Sequence, residues 1–283
     1  MSSQPAGGRS LSKSVTVGLL LGAVFLLSVL IYKELFMVLA AAVAGAGAWE
    51  LSTALRLKGW YVPRVPAVVG SALIMPATFY GGAELQWLVA LGIVAALILW
   101  RTVHLLWERR QSVAQEFAKT IRDYSAAAFL VIYLPLMTSF TILLLRREDG
   151  AGWVITLVAT VSMIDTAGYL VGRKLGRHKL APGVSPKKTW EGLLASIIAG
   201  TVTSGLLTSF FFGLDWWLGL ILAALLITSA VFGDLAESLI KRDLGVKDMS
   251  TLLPGHGGMM DRLDSVLPSA LVAYLFTQVF LPI

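Results

Sequence analysis

The sequence has 283 residues, of which 57% are hydrophobic and only 14% charged, and its formal net charge is +6. Soluble globular domains carry about 25% charged residues, so this composition excludes an ordinary soluble domain and predicts an integral membrane protein. The chain contains no cysteine, which excludes a disulfide framework and thiolate metal ligands.

Nine apolar segments follow one another along the chain. A helix of roughly 20 apolar residues crosses a ~30 Å hydrocarbon core, and only the third and fourth segments are short by this measure. A basic tail precedes the first segment, but no small-residue cleavage site follows it, so we expect an uncleaved first helix. The predicted fold is an all-α, polytopic helical bundle of about nine transmembrane helices. The predicted spans are residues 15–32, 35–55, 65–80, 85–100, 125–145, 152–172, 190–212, 216–233 and 263–282.

The positions of Lys and Arg predict the orientation, because cytoplasmic loops carry an excess of these residues. If the N-terminus is cytoplasmic and the spans alternate, 20 of the 23 basic residues lie in cytoplasmic segments and 3 in external ones. We therefore expect a cytoplasmic N-terminus in the cell membrane (an inner or plasma membrane). The mixed-charge segment 101–124 has two interpretations, an amphipathic helix on the inner leaflet or an ordinary solvated connection.

The two halves of the chain differ in polar content. Residues 1–150 form apolar helices with short loops, and we interpret them as a scaffold or dimerisation region. Residues 151–283 contain nearly all the candidate chemistry, and we interpret them as a catalytic transmembrane region. Its polar residues fall in two predicted cytoplasmic loops, 173–189 and 234–262, and at the helix ends beside them.

Asp165 is a lone carboxylate inside the sixth predicted span. A charge within a membrane helix costs at least about 2.5–3.5 kcal/mol and is rarely kept without a partner. At 1.5 Å per residue, Asp165 lies about 10 Å below the predicted cytoplasmic boundary. The alternative to a functional role is a helix-packing hydrogen bond.

A basic loop containing glycines follows that span and includes Ser185, Lys187 and Lys188. Cations and backbone N–H groups that approach a ligand together are suited to phosphate binding. The GxxxxGK[ST] pattern is absent, so the loop is not a P-loop. Because cytoplasmic loops are basic in any case, topology alone also explains these charges.

Acidic residues cluster at two places after the eighth span. On a helix, Asp234, Glu237 and Lys241 lie on one face. Asp261 and Asp264 lie at the start of the last predicted helix. Such oxygen ligands suit Mg²⁺, which binds one or two carboxylates together with substrate phosphates. Solvation, or a favourable charge at a helix N-terminus, explains any single acid. It does not explain two acidic and two basic clusters with glycine turns on one predicted membrane face.

The strongest pattern runs from Ser238 to Asp264. It reads Ser238-Leu239-Ile240-Lys241-Arg242, Lys247-Asp248, Pro254-Gly255-His256-Gly257-Gly258 and Asp261-Arg262-Leu263-Asp264. This pattern resembles the signature of the phosphatidate cytidylyltransferases, also called CDP-diacylglycerol synthases, and segments 165–172 and 185–192 resemble upstream blocks of that family. The resemblance implies a homodimeric, polytopic membrane enzyme with a metal centre on the cytoplasmic side. There the residues matching Asp234 and Asp261 hold Mg²⁺, with K⁺ alongside.

The expected reaction is a nucleotidyl transfer in which CTP and phosphatidic acid give CDP-diacylglycerol and diphosphate, with no nucleic acid partner. The predicted metal ligands are Asp165, Asp234, Asp261 and Asp264. The residues predicted to act in catalysis are Asp165, Asp234, Asp261 and Lys241. The predicted substrate-binding residues are Ser185, Lys187, Lys188, Arg242, His256, Gly257, Gly258 and Arg262, and Lys241 is a further candidate for phosphate.

Three other functions are alternatives to this one. A CTP-dependent lipid kinase, such as a dolichol or phytol kinase, would transfer the terminal phosphoryl group and release CDP. A transporter would place its polar groups near the midplane and often contains inverted repeats, but here they gather towards one face and no repeat is evident. A CDP-alcohol phosphotransferase is disfavoured because its DGxxAR motif is absent from the sequence.

Overall fold

The computed structural model describes residues 11–107, 113–246, 248–250, 252 and 257–281. The chain is almost entirely helical over these residues. Its helices are α1 (Leu11–Ile31), α2 (Lys33–Leu57), α3 (Arg64–Trp107), α4 (Val113–Val131), a π-helix (Ile132–Leu136), α5 (Met137–Leu145), α6 (Gly150–Leu175), α7 (Trp190–Phe212), α8 (Trp216–Leu244), α9 (Met260–Leu263) and α10 (Val266–Phe280). Two short strands, β1 (Lys179–Ala181) and β2 (Ser185–Thr189), lie between α6 and α7.

Seven helical segments in the described part of the chain are long and apolar enough to cross a membrane. One of them, α3, has 44 residues and contains Gly82 in a non-helical conformation (φ 70°, ψ −158°). A Cβ atom on Gly70 would lie 2.8 Å from Ile93 Cγ2, so the two arms of α3 pack side by side and the chain reverses at Gly82. These arms correspond to the predicted spans 65–80 and 85–100. With α1 included, the prediction of an all-α polytopic bundle with about nine spans is confirmed.

Contacts between loops show that the spans alternate in direction. At one end of the bundle, the Tyr61 N–H group donates to Asp123 Oδ1 at 2.9 Å, and Lys58 Nζ lies 3.5 Å from Asp243 Oδ1. At the other end, Lys33 Nζ donates to the Arg147 carbonyl at 2.6 Å. The first end is the one that carries most of the basic residues, and we call it the basic face.

Helices α6, α7 and α8 pack closely through small residues, as membrane helices do when their backbones approach each other. Ser196 on α7 donates to the Ile164 carbonyl of α6 at 2.7 Å. Ser204, also on α7, donates to the Gly219 carbonyl of α8 at 3.0 Å. This packing fixes the positions from which α6 and α8 present polar side chains at the basic face.

The structure differs from the predicted loops in two respects. Part of the predicted loop 173–189 is a β-hairpin, in which Val184 N–H bonds to the Ala181 carbonyl at 3.1 Å and closes a turn. Pro182 favours this turn because its fixed φ suits the second position. The predicted loop 234–262 begins as helix, since α8 continues to Leu244. The mixed-charge segment 101–124 is helical on both sides of residues 108–112, which lie outside the described part of the chain.

Candidate functional site

Five carboxylates gather at the basic face, and we call them the acidic cluster: Asp165, Asp234, Glu237, Asp261 and Asp264. Asp165 comes from α6, Asp234 and Glu237 from α8, and Asp261 and Asp264 from α9 and its C-terminal end. Asp165, Asp234 and Asp264 are close enough to interact electrostatically, and Ser265 Oγ donates to Asp165 Oδ1 at 3.3 Å. The fold therefore brings together carboxylates that are about a hundred residues apart in the sequence.

Asp165 is accessible to solvent although it lies within α6. Its neighbours are the other acids and Ser265, so it is a member of the acidic cluster. The Ser265 contact shows that Asp165 does have a helix-packing hydrogen bond. That bond involves only one carboxylate oxygen of Asp165. The packing bond does not account for the charges of Asp234 and Asp264, which lie near the same carboxylate.

Two lysines enter the acidic cluster. Lys188 Nζ lies 2.7 Å from Asp234 Oδ2, and both side chains are about one-quarter exposed (20% and 32%). Lys241 Nζ lies 2.5 Å from Glu237 Oε2 and 3.0 Å from Asp261 Oδ1. Each of these lysines was predicted to bind phosphate, and in this structure each is paired with carboxylates.

The β-hairpin explains why Lys188 reaches the cluster and Lys187 does not. Successive residues of a strand point to opposite faces, so Lys188 is half-buried and Lys187 is exposed. Strand β2 leads directly into α7, where Thr189 Oγ1 caps the helix by accepting from Gly192 N–H at 3.1 Å. Ser185 begins the strand, opposite Ala181.

The other predicted basic residues lie around the cluster. Arg242 is exposed and donates to the Gly183 carbonyl, so it joins the end of α8 to the turn of the β-hairpin. Arg262 is exposed on α9. His256, predicted to bind substrate, lies outside the described residues, as does Lys247.

Asp261 organises the loop that precedes α9. Its Oδ2 atom accepts from Gly258 N–H at 2.7 Å and from Met249 N–H at 3.2 Å, while Oδ1 contacts Lys241. Gly257 has a φ of +83°, a conformation that glycine adopts without strain. The Asp261 side chain is only 6% exposed. Gly257 and Gly258 therefore shape the backbone around Asp261.

Glu50 on α2 supports the same loop and was not singled out in the sequence. It is 3% exposed, and it accepts hydrogen bonds from Met259 N–H and Met260 N–H at 2.9 Å each and from Ser250 Oγ at 2.5 Å. The signal in the sequence was the same as for Asp165, a carboxylate within an apolar segment. Its position near the end of the predicted span 35–55 made it resemble a boundary charge.

The acidic cluster carries more negative than positive charge, since five carboxylates meet two lysines. Glu237 is fully buried, and its Oε2 atom forms a short charge-assisted contact with Lys241 Nζ at 2.5 Å. Buried charge of this kind calls for cations, and hard oxygen donors suit Mg²⁺. Within the described ranges, no three His, Asp or Glu side chains already converge as a ligand set. The donor set fits a cation, whose binding would require the lysines or carboxylates to rearrange.

A model of the cytidylyltransferase family matches residues 12–280, which is nearly the whole chain. The chain belongs to the cytidylyltransferase family. This confirms the family resemblance seen between Ser238 and Asp264, and it confirms that the protein is a nucleotidyltransferase rather than a transporter.

Several curated cytidylyltransferases are similar to this chain along most of its length. The phosphatidate cytidylyltransferase of Mycobacterium leprae is 38% identical over 276 residues, which cover 95% of this chain and 88% of the relative. That of Mycobacterium bovis is 35% identical over 270 residues, with the same coverage. The Brucella melitensis phosphatidate cytidylyltransferase is 42% identical over 146 residues, covering 50% of this chain and 54% of the relative.

Proposed function

We propose that this cytidylyltransferase converts CTP and phosphatidic acid into CDP-diacylglycerol and diphosphate. The observation that carries the proposal is the similarity along 95% of the chain to proteins named phosphatidate cytidylyltransferase. The acidic cluster supports it, because carboxylates and lysines meet there at the end of a bundle of apolar helices. A lipid whose acyl chains stay in the bilayer would present its phosphate at this depth.

In the proposed reaction, an ionised phosphate oxygen of phosphatidic acid attacks the α-phosphorus of CTP. The bond between the α-phosphorus and its bridging oxygen to the β-phosphorus breaks, and diphosphate leaves. A phosphate monoester is already largely ionised near neutral pH, so the step requires no strong general base. The problem for the protein is instead to bring two polyanions together in line.

The lysines of the acidic cluster are placed to meet those anions. When phosphates enter, Lys188 and Lys241 would exchange their carboxylate contacts for phosphate oxygens, which form stronger charge-assisted bonds with an ammonium group. Lys187, Arg242 and Arg262 are exposed chain neighbours of Lys188, Lys241 and Asp261, and they are proposed to attract CTP. Ser185 and the backbone at Gly257 and Gly258 would position its phosphates.

Once Lys188 and Lys241 have left their carboxylate partners, the carboxylates of the cluster would be able to hold Mg²⁺. The proposed ligands are Asp165, Asp234, Asp261 and Asp264. A bound divalent ion would neutralise phosphate charge and stabilise the leaving diphosphate. Glu237 stays buried beside Lys241 and would orient that lysine. Because Asp261 also receives backbone N–H groups, it would keep the loop before α9 closed against the site.

The proposal includes an orientation and an assembly. The excess of basic residues at the basic face supports a cytoplasmic position for the acidic cluster in the plasma membrane, where CTP is available. A homodimer remains an expectation from the family resemblance. The orientation is separable from the chemistry and is tested separately.

The test of the reaction is a product assay with purified protein in phospholipid nanodiscs. CTP, Mg²⁺ and either phosphatidic acid or a polyprenol are supplied, and lipid and nucleotide products are identified by mass spectrometry. We expect CDP-diacylglycerol and diphosphate with phosphatidic acid alone. Formation of CDP with a phosphorylated polyprenol would instead identify a lipid kinase.

A further inference from the structure

Tyr133 lies within the π-helix Ile132–Leu136, in the half of the chain that was predicted to be a scaffold. Pro135 lies in the same turn, and because proline has no N–H group the regular hydrogen-bond ladder is broken there. Single π-turns within α-helices occur often at functional sites. The Tyr133 ring stacks on Phe129, with 5.2 Å between centroids and 17° between planes, which fixes the direction of the hydroxyl group.

The hydroxyl oxygen of Tyr133 is buried, and no described residue forms a hydrogen bond with it. Glu237, Asp264 and Asp234 are close enough to act on it electrostatically, which places the hydroxyl near the acidic cluster. An unsatisfied buried hydroxyl is unfavourable and is rare in native proteins. A buried hydroxyl without a partner among the described residues therefore lies near the acidic cluster.

We propose that Tyr133 is a phosphate-binding residue whose hydroxyl donates a hydrogen bond to a phosphate oxygen of the bound reactants. The inference rests on the proposed nucleotidyl transfer and adds a donor from the N-terminal half of the chain. The lysines at the site are engaged by carboxylates, whereas the phenol is neutral and cannot form such an ion pair. The Tyr133 hydroxyl has no hydrogen-bond partner among the described residues, so its donor is available, and the acceptor that it lacks arrives with the substrate.

The decisive variant is Tyr133→Phe, which removes the hydroxyl and keeps the ring on Phe129. A hydrogen bond to a charged oxygen is among the stronger ones, so we expect kcat/KM to fall about 10- to 100-fold. We expect the melting temperature without substrate to stay equal or rise, because the variant removes an unsatisfied buried group. Stabilisation by added substrate should weaken, since a ligand that binds only the folded state raises its stability in proportion to affinity.

The matched control is Tyr124→Phe. The Tyr124 hydroxyl lies on α4 and is already paired with Thr102 Oγ1 at 2.6 Å, so its loss should leave kcat/KM unchanged. Wild-type kcat/KM in Tyr133→Phe would overturn the inference. So would a loss of activity accompanied by a lower melting temperature without substrate, which indicates a structural bond. Failure of the proposed function is distinguished by the wild-type protein, which would then form no CDP-diacylglycerol.

Discussion

Lys188 Nζ lies 2.7 Å from Asp234 Oδ2, and this ion pair joins the β-hairpin to the membrane helix α8. The two residues come from sequence segments that were predicted separately as a phosphate-binding loop and a metal ligand. Through this contact the β-hairpin packs against the acidic cluster. A second lysine–aspartate pair, Lys58 with Asp243, lies on the same face with side chains 39% and 64% exposed.

The contrast between these pairs gives the first prediction. Asp234→Asn should lower turnover at least about 100-fold, because a proposed metal-bearing carboxylate is lost where charge develops in the transition state. Asp243→Asn, which breaks only an exposed pair of small energetic worth, should leave turnover within about 2-fold of wild type. Turnover is measured at saturating Mg²⁺ and CTP. Near-normal turnover in Asp234→Asn would remove Asp234 from the metal assignment.

A second prediction concerns Asp165. Asp165→Asn keeps the size of the side chain and an oxygen that can accept from Ser265, so a packing role predicts a mild effect. If Asp165 supports the metal, turnover should fall at least about 10-fold and the Mg²⁺ concentration for half-maximal activity should rise. Activity is followed over a range of Mg²⁺ concentrations, with thermal stability in detergent measured alongside.

The control for Asp165 is Asp215→Asn, at the start of α8 on the opposite face, where the carboxylate accepts from Trp217 Nε1 at 3.3 Å. Its Mg²⁺ dependence should match that of wild type. An Asp165→Asn protein with wild-type activity at every Mg²⁺ concentration would return Asp165 to a packing role.

Much of the fold could be predicted from local sequence, because the hydropathy of each segment predicts a membrane span and the basic residues of each loop predict its side of the membrane. The arms of α3 were predicted as the separate spans 65–80 and 85–100, and Gly81 and Gly82 lie between them. Asp165 was identifiable for a similar local reason, because a charge in an apolar helix is costly wherever it lies.

Other features depend on contacts that a single sequence does not display. Glu50 contacts residues about two hundred positions later, so its partners could not be read from its surroundings. The Tyr133 hydroxyl becomes a candidate only when the fold places it near acids on α8 and beyond. The pairing of β1 with β2 was missed because both strands are short and basic loops are expected at that face.

A third prediction tests Glu50 as the support of the loop before α9. In Glu50→Gln the amide nitrogen cannot accept a hydrogen bond, so a backbone N–H group of Met259 or Met260 loses its partner at a cost of about 1–3 kcal/mol. Hydrogen exchange at residues 257–261 should accelerate, and turnover should fall. Glu84→Gln, an exposed carboxylate at the opposite end of the bundle, should change neither quantity. Unchanged exchange in Glu50→Gln would show that the loop is held in another way.

The orientation gives a fourth prediction, and the cysteine-free chain makes it simple to test. A cysteine introduced at Ser185, on the basic face, should react with a membrane-impermeant maleimide only after the cells are opened. A cysteine introduced at Glu148, in the exposed turn at the other end, should react in intact cells. The reverse pattern would place the acidic cluster outside the cell, away from CTP.

The central claim is that the cytidylyl group of CTP is transferred to the phosphate of a lipid. The most direct measurement follows two labelled forms of CTP, one labelled at the α-phosphate and one at the γ-phosphate, with wild-type protein, phosphatidic acid and Mg²⁺. We expect the α-label in the organic-soluble lipid and the γ-label in soluble diphosphate. Transfer of the γ-label into lipid, with the α-label left in CDP, would contradict it.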